Sequence, residues 1–139
     1  MTIEASIAIV VAFIALLGTT LAPIINSVTQ LRQEQRKRRH DYILSVVTAL
    51  IDIRSALQYE QLPQWQIYND PEKFPEIAIT PEFKNSQFSF GKAYAIMISV
   101  DIEEIRKKAE IVMLDPDPDK KLKAIDFALK RLGEEYKLL

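Results

Sequence analysis

The feature that most constrains this chain is an uncharged, apolar run from Ala5 to Ile25. Only Ser6, Thr19 and Thr20 carry polar side chains within it. As an α-helix, its 21 residues reach about 31 Å, which matches the hydrocarbon thickness of a bilayer. The run predicts one transmembrane helix, and we expect residues 1–31 to form a membrane anchor.

A cleaved signal peptide is the competing interpretation of an apolar run near the start of a sequence. Such peptides open with positive charge and have shorter apolar cores, whereas this sequence opens with Met1, Thr2, Ile3 and Glu4. Pro23 directly follows Ala22, the best small-residue candidate for a cleavage site. We therefore expect an anchor that is not removed.

Basic residues follow the apolar run closely, and no Lys or Arg precedes it. They are Arg32, Arg36, Lys37, Arg38 and Arg39. Because positive flanks stay in the cytoplasm, we expect a single-pass protein of the cell (inner) membrane, with its N-terminus outside and its C-terminal domain cytoplasmic. Two interpretations of the basic residues remain open. They determine orientation alone, or they also contact anionic lipid headgroups, at about 1 kcal/mol per residue.

Small residues recur through the run at spacings of three and four, which places them along one side of a helix. These seam residues are Ala5, Ala8, Ala12, Ala15, Thr19 and Ala22. Small side chains let two helix backbones approach closely in lipid, so the seam predicts self-association. Continued by the same heptad, the seam reaches Asn26, Thr29 and Gln33, which we expect to form a polar mouth at the cytoplasmic end of the span. Pro23 predicts a mild kink, because it leaves the carbonyl of Thr19 without its helical hydrogen bond.

About 100 residues follow the anchor, which is enough for one small domain with its own core. Residues 32–61 predict a basic juxtamembrane stalk and a first bundle helix, because apolar residues recur there at helical spacing without Pro or Gly. Residues 62–81 contain four prolines and three aromatic residues, which predicts an irregular loop pinned to the bundle by its aromatic side chains.

Residues 82–139 predict the remaining helices. Thr80, Pro81 and Glu82 form a helix-start signal, after which Gly91 is expected to interrupt or delay a main helix over residues 92–114. A last helix is expected from about Asp119. The fold class is therefore all-α: an N-terminal transmembrane helix that continues into a small cytoplasmic bundle of about three main helices.

The composition excludes several kinds of catalytic and ligand-binding site. The chain has no cysteine and three glycines, so thiolate sites and Gly-rich phosphate loops are not expected. Residues 40–139 hold 13 basic and 17 acidic groups, which argues against nucleic acid as a partner. We find no enzyme signature and expect no cofactor and no metal.

The spacing of Asp115, Asp117, Asp119 and Asp126 has some likeness to a calcium loop. However, Lys120 stands where that loop needs glycine. Capping of the last helix by Asp117 or Asp119 is the better interpretation.

The sequence therefore predicts a non-enzymatic interaction module in the lipid bilayer, a homo-oligomer that presents its cytoplasmic bundle to a protein partner. Two other interpretations remain open. One is a membrane-perturbing or pore-forming effector, and the other is an accessory subunit of a larger membrane complex.

Overall fold

The structure, a computed structural model, describes residues 2–57 and 62–139. Across these residues the chain forms helices and no strands, as the sequence predicts. The α-helices are α1 (Ile3–Ala56), α2 (Pro63–Asn69), α3 (Phe74–Ile77), α4 (Pro81–Ser99), α5 (Glu103–Leu114) and α6 (Pro118–Leu138). A 3-10 turn, Pro71–Lys73, lies between α2 and α3. The chain divides into two compact units, one up to His40 and one from Asp41 to Leu139.

Helix α1 contributes to both units. It is helical from Ile3 to Ala56 and continues through Pro23. The expected helix through the basic stretch is therefore confirmed as far as Ala56. Its predicted extension toward Gln61 falls, over residues 58–61, outside the described residues.

The second unit is built around one hydrophobic core. Helix α5 packs between α4 and α6, while the C-terminal part of α1 supplies the fourth long element. Each helix contributes apolar residues at spacings of three and four, the period that places side chains on one face. The fully buried side chains include Ile43 and Leu50 from α1, Phe90 and Met97 from α4, Ile105 and Val112 from α5, and Ile125 and Leu132 from α6.

Polar contacts join α1 to this bundle at two levels. The Nε of Arg54 donates to Oδ1 of Asp126 on α6 at 2.9 Å. Its Nη1 also donates to the carbonyl of Leu57 at 3.1 Å, a local bond just beyond the end of α1. Toward the other end of the bundle, the hydroxyl of Tyr42 lies 3.5 Å from the carbonyl oxygen of Ser99, at the end of α4. The buried apolar face and these contacts together make α1 an integral part of the bundle.

The segment 62–81 differs from the irregular loop expected from its prolines. Pro63, Pro71 and Pro75 each stand at the first or second position of a short helical element, and Pro81 stands at the first position of the long helix α4. At these positions the missing N–H has no helical partner to lose. The buried amide of Gln64 then ties α2 to α4, because its Nε2 donates to Oγ of Ser86 at 2.7 Å.

The aromatic residues of this segment pack in two pairs. Trp65 lies against the core and stacks on Tyr68, with ring centroids 6.0 Å apart. Phe74 meets Phe83 edge to face at 6.2 Å. The expected pinning is therefore seen for Trp65, whereas Tyr68 and Phe74 keep about half of their surface exposed.

The main helix expected over residues 92–114 is wrong in its boundaries. Helix α4 runs straight through Gly91, and the chain breaks instead between Ser99 and Glu103. Val100 and Ile102 adopt extended conformations there and bury their side chains in the core. The Nε of Arg106 donates to the carbonyl of Val100 at 2.6 Å and so provides a partner for that carbonyl at the C-terminal end of α4. Four long helical elements therefore pack together, rather than about three.

The last helix begins as the aspartate pattern predicts. Oδ1 of Asp117 accepts from the backbone N–H of Asp119 at 2.9 Å, and Pro118 occupies the first helical position. This identifies Asp117 as the capping residue. The helix continues through Gly133 to Leu138.

Candidate functional site

The first unit presents an apolar helix that no other described part of the chain covers. Within α1, an 18-residue stretch near the N-terminus has a mean hydropathy of 2.5, and none of it is buried. Large side chains such as Ile9, Phe13 and Leu16 keep more than half of their surface exposed. The helix is long and apolar enough to cross a membrane.

The seam residues lie on one side of this helix and are exposed. At about 100° per residue, Ala5, Ala8, Ala12, Ala15, Thr19 and Ala22 fall within a sector of roughly 100°. Asn26, Thr29 and Gln33 fall in or next to the same sector and are exposed as well. The structure therefore places the predicted seam and polar mouth along one continuous face of the first unit.

The hydroxyl groups of this segment are bonded within their own helix. Oγ1 of Thr19 and Oγ1 of Thr20 each donate to the carbonyl of Leu16 at 2.9 Å. Thr29 Oγ1 donates to the carbonyl of Ile25 at 2.9 Å, and Ser6 Oγ donates to the carbonyl of Thr2 at 3.2 Å. Each hydroxyl therefore enters an apolar environment with its donor satisfied, and none needs a second helix for that purpose.

Gly18 belongs with the seam, although the heptad count misses it. It stands three residues after Ala15 and four before Ala22, so it borders the same face and completes a Gly-x-x-x-Ala spacing. A Cβ added to Gly18 would meet no atom within 4 Å. The sequence already indicated this role for Gly18, because it is a small residue four positions before the seam residue Ala22.

The five basic residues do not form a single cluster. Arg32 and Arg36 lie one above the other on α1, and Arg39 follows on the same side but is half-buried. Lys37 and Arg38 point in other directions around the helix and are exposed. The structure therefore divides the predicted set into one stripe and two separate charges.

The second unit uses its candidate acidic ligands for local contacts. Asp115 Oδ1 accepts from the backbone N–H of Asp117 at 2.9 Å, and Asp119 pairs with Lys123 at 3.1 Å. Asp126 pairs with Arg54. Within residues 2–57 and 62–139, no group of three or more His, Cys, Asp or Glu side chains is placed to hold a metal ion.

One buried cation stands out in this unit. Lys121 is 7% exposed, and its Nζ lies 5.0 Å from the centroid of the Phe90 ring. Burial lowers the pKa of Lys121, and the negative charge of Asp115 partly opposes this effect. The spacing of α6 could have found it, since Lys121 stands four residues before Ile125 and seven before Ala128, which are both buried.

No protein-family model matches this chain, and neither a curated protein nor a solved structure matches it.

Proposed function

We propose that this protein is a single-pass, membrane-anchored interaction module that self-associates through α1 and presents its helical bundle to a protein partner in the cytoplasm. The observation that carries the proposal is the uncharged segment Ala5–Ile25, which its own chain leaves uncovered. Apolar surface of this extent is unfavourable in water and favourable in hydrocarbon. The basic residues that follow it support a cytoplasmic location for the second unit.

Self-association is supported by the shape and chemistry of the seam. The exposed alanines and Gly18 allow a second backbone to approach closely, and close backbone packing is a main source of helix association in lipid. The hydroxyls of Thr19 and Thr20 are bonded to their own helix, so they do not require a polar pore lining. Both features favour packing between helices over a water-filled channel.

The extent of the self-association interface follows from the heptad. Continued beyond Gln33, the same spacing reaches Arg36, His40, Ile43, Val47 and Leu50. Ile43 and Leu50 are fully buried in the core of the second unit, so this face is no longer available to another copy. The proposed interface therefore lies within residues 5–33.

The bundle is the part proposed to meet a cytoplasmic partner. Its core is formed within one chain, because α1 contributes Ile43, Val46 and Leu50 to the same buried cluster as α4, α5 and α6. The bundle therefore does not depend on self-association for its fold. We propose that it acts by binding rather than by catalysis, because the acidic residues singled out in the sequence serve as caps, turns and ion pairs.

The test is the native mass of the full-length protein in mild detergent. We expect a defined homo-oligomer, with Ala12→Leu and Gly18→Leu both shifting it toward the monomer. Ala12→Leu is the sharper of these two variants, because Ala12 lies about 30° from the centre of the seam, whereas Gly18 lies about 90° from it. Ala12 is exposed and the space around Gly18 is open, so either added side chain would meet a second helix rather than its own chain.

Val10→Phe is the matched control, since it adds comparable apolar bulk about 170° around the helix from the centre of the seam. It should leave the mass unchanged. A monomeric wild-type protein, or equal effects of Ala12→Leu and Val10→Phe, would contradict association through the seam. Recovery of the wild-type protein in the soluble fraction without detergent would contradict the membrane anchor itself.

A further inference from the structure

A stripe of positive charge lies on α1 just beyond its apolar segment. Arg32 and Arg36 are both exposed and are separated by one helical turn, about 6 Å along the axis and about 40° around it. Glu34 is the only acidic residue between positions 26 and 40. It lies about 160° around the helix from either arginine, so it does not neutralise the stripe on its own face.

The position of the stripe along the helix matches the depth of lipid headgroups. The Cα of Arg32 lies about 10 Å beyond Ile25, whereas each headgroup layer is about 5–7 Å thick. Helical side chains tilt toward the N-terminus, which here means back toward the apolar segment. The long side chain of Arg32 can therefore place its guanidinium in the headgroup layer. Arg36 lies one turn further from the apolar segment, about 6 Å beyond Arg32, which is within the Debye length of about 8 Å at physiological salt.

We propose that Arg32 and Arg36 form a binding site for the phosphate of an anionic phospholipid, with Lys37 and Arg38 adding longer-range attraction. The guanidinium group offers paired N–H donors that match phosphate oxygens, and two such groups on one face can hold one headgroup between them. The inference rests on the proposed membrane anchor, which brings this stripe to the lipid surface. It assigns a specific ligand to residues that would otherwise only orient the protein.

A lipid is the occupant that the charge distribution favours over other polyanions. The stripe adjoins an apolar segment, and the second unit has more acidic than basic groups. Nucleic acid would need phosphate contacts spread over a face of that unit. A phospholipid needs only a local pair of cations beside hydrocarbon, which is the combination found here.

The test is native mass spectrometry of the full-length protein released from detergent micelles. The protein is titrated with phosphatidylglycerol and, separately, with phosphatidylcholine of identical acyl chains. We expect the first phosphatidylglycerol to bind more tightly than the first phosphatidylcholine. The double variant Arg32→Gln/Arg36→Gln should weaken phosphatidylglycerol binding by about 30-fold and leave phosphatidylcholine binding unchanged.

Two further variants separate site chemistry from general charge. Arg32→Lys/Arg36→Lys keeps both charges and should fall between the wild type and the Gln variant, because lysine lacks the paired donors. Lys84→Gln/Lys92→Gln removes two exposed charges from α4 and should bind phosphatidylglycerol as the wild type does. Equal loss in this control, or no loss in the Arg32→Gln/Arg36→Gln variant, would overturn the proposal.

An excess of inorganic phosphate distinguishes a headgroup site from a site for the free anion. We expect phosphate not to displace bound phosphatidylglycerol, and displacement would overturn the lipid assignment. The same spectra count protein copies independently of lipid. A monomer that prefers phosphatidylglycerol would therefore contradict self-association while supporting this site, and an oligomer without lipid preference would do the reverse.

Discussion

Truncation of Leu50 tests whether α1 is a structural part of the bundle. Leu50 is 0% exposed, whereas Leu44 on the same helix is 53% exposed. Leu50→Ala should lower the free energy of unfolding by about 2–5 kcal/mol, since it removes buried methyl groups and leaves a cavity. Leu44→Ala should change it by less than about 0.5 kcal/mol. For a unit of this size, about 3 kcal/mol corresponds to a fall in Tm on the order of 10–25 °C.

Trp65 provides an assay specific to the bundle. It is the only tryptophan in the chain, and it lies against the core with its ring stacked on Tyr68. Its emission should shift to longer wavelength when the bundle unfolds, while the helical segment up to His40 contributes no tryptophan signal. Melting the full-length protein in mild detergent and following this emission gives the Tm of each variant.

The difference between Leu50→Ala and Leu44→Ala tests whether α1 completes the core of the second unit. If α1 did not complete the core, Leu50→Ala and Leu44→Ala would give similar small shifts. A loss below about 1 kcal/mol for Leu50→Ala would contradict the burial seen in the structure, because even a Leu→Ala site that collapses well costs more than this.

The same fluorescence assay checks three smaller effects. Because burial lowers the pKa of Lys121 below its ordinary value of 10.5, the unfolded chain binds more protons between the folded and ordinary pKa values, so stability should rise with pH across that window. Lys121→Met should be more stable than the wild type at pH 7, and its advantage should shrink toward pH 10.5; an advantage independent of pH would refute this. Asp117→Ala should cost about 1 kcal/mol because it removes the cap of α6, while Asp117→Asn should retain most of the stability. Arg131→Ala should cost less than about 1 kcal/mol, since its ion pairs with Glu104 and Glu135 lie near solvent, and a larger loss would mark it as a packing residue.

Much of the fold could be predicted from local patterns. The continuous helix through the basic stretch follows from apolar spacing without Pro or Gly, and the start of α6 follows from Asp117 and Pro118. The start of α4 follows from Thr80, whose Oγ1 accepts from the backbone N–H of Phe83 at 3.3 Å. These are cases in which a few neighbouring residues determine the backbone.

The features that could not be predicted depend on contacts distant in sequence. The break between α4 and α5 is stabilised by burial of Val100 and Ile102 in the shared core, although an apolar helical spacing continues across it. The contact of the Lys121 Nζ with the Phe90 ring joins α6 to α4, 31 residues apart in sequence. The short helices of residues 63–77 are held partly by the bond from Gln64 to Ser86, which is 22 residues away. The spacing of apolar residues along one helix does not show which distant residues its side chains will contact.

The heptad along α1 links the two proposed roles of this helix. In residues 5–33 its positions are small or polar and exposed, whereas Ile43 and Leu50 at the same phase are large and fully buried. Side-chain size thus changes along the helix, where burial in the chain's own bundle follows the segment for which we propose contact with another copy. It follows that copy number and bundle stability should respond to different substitutions. Gly18→Leu should change the native mass without lowering the Tm of the bundle, and Leu50→Ala should lower the Tm without changing the native mass.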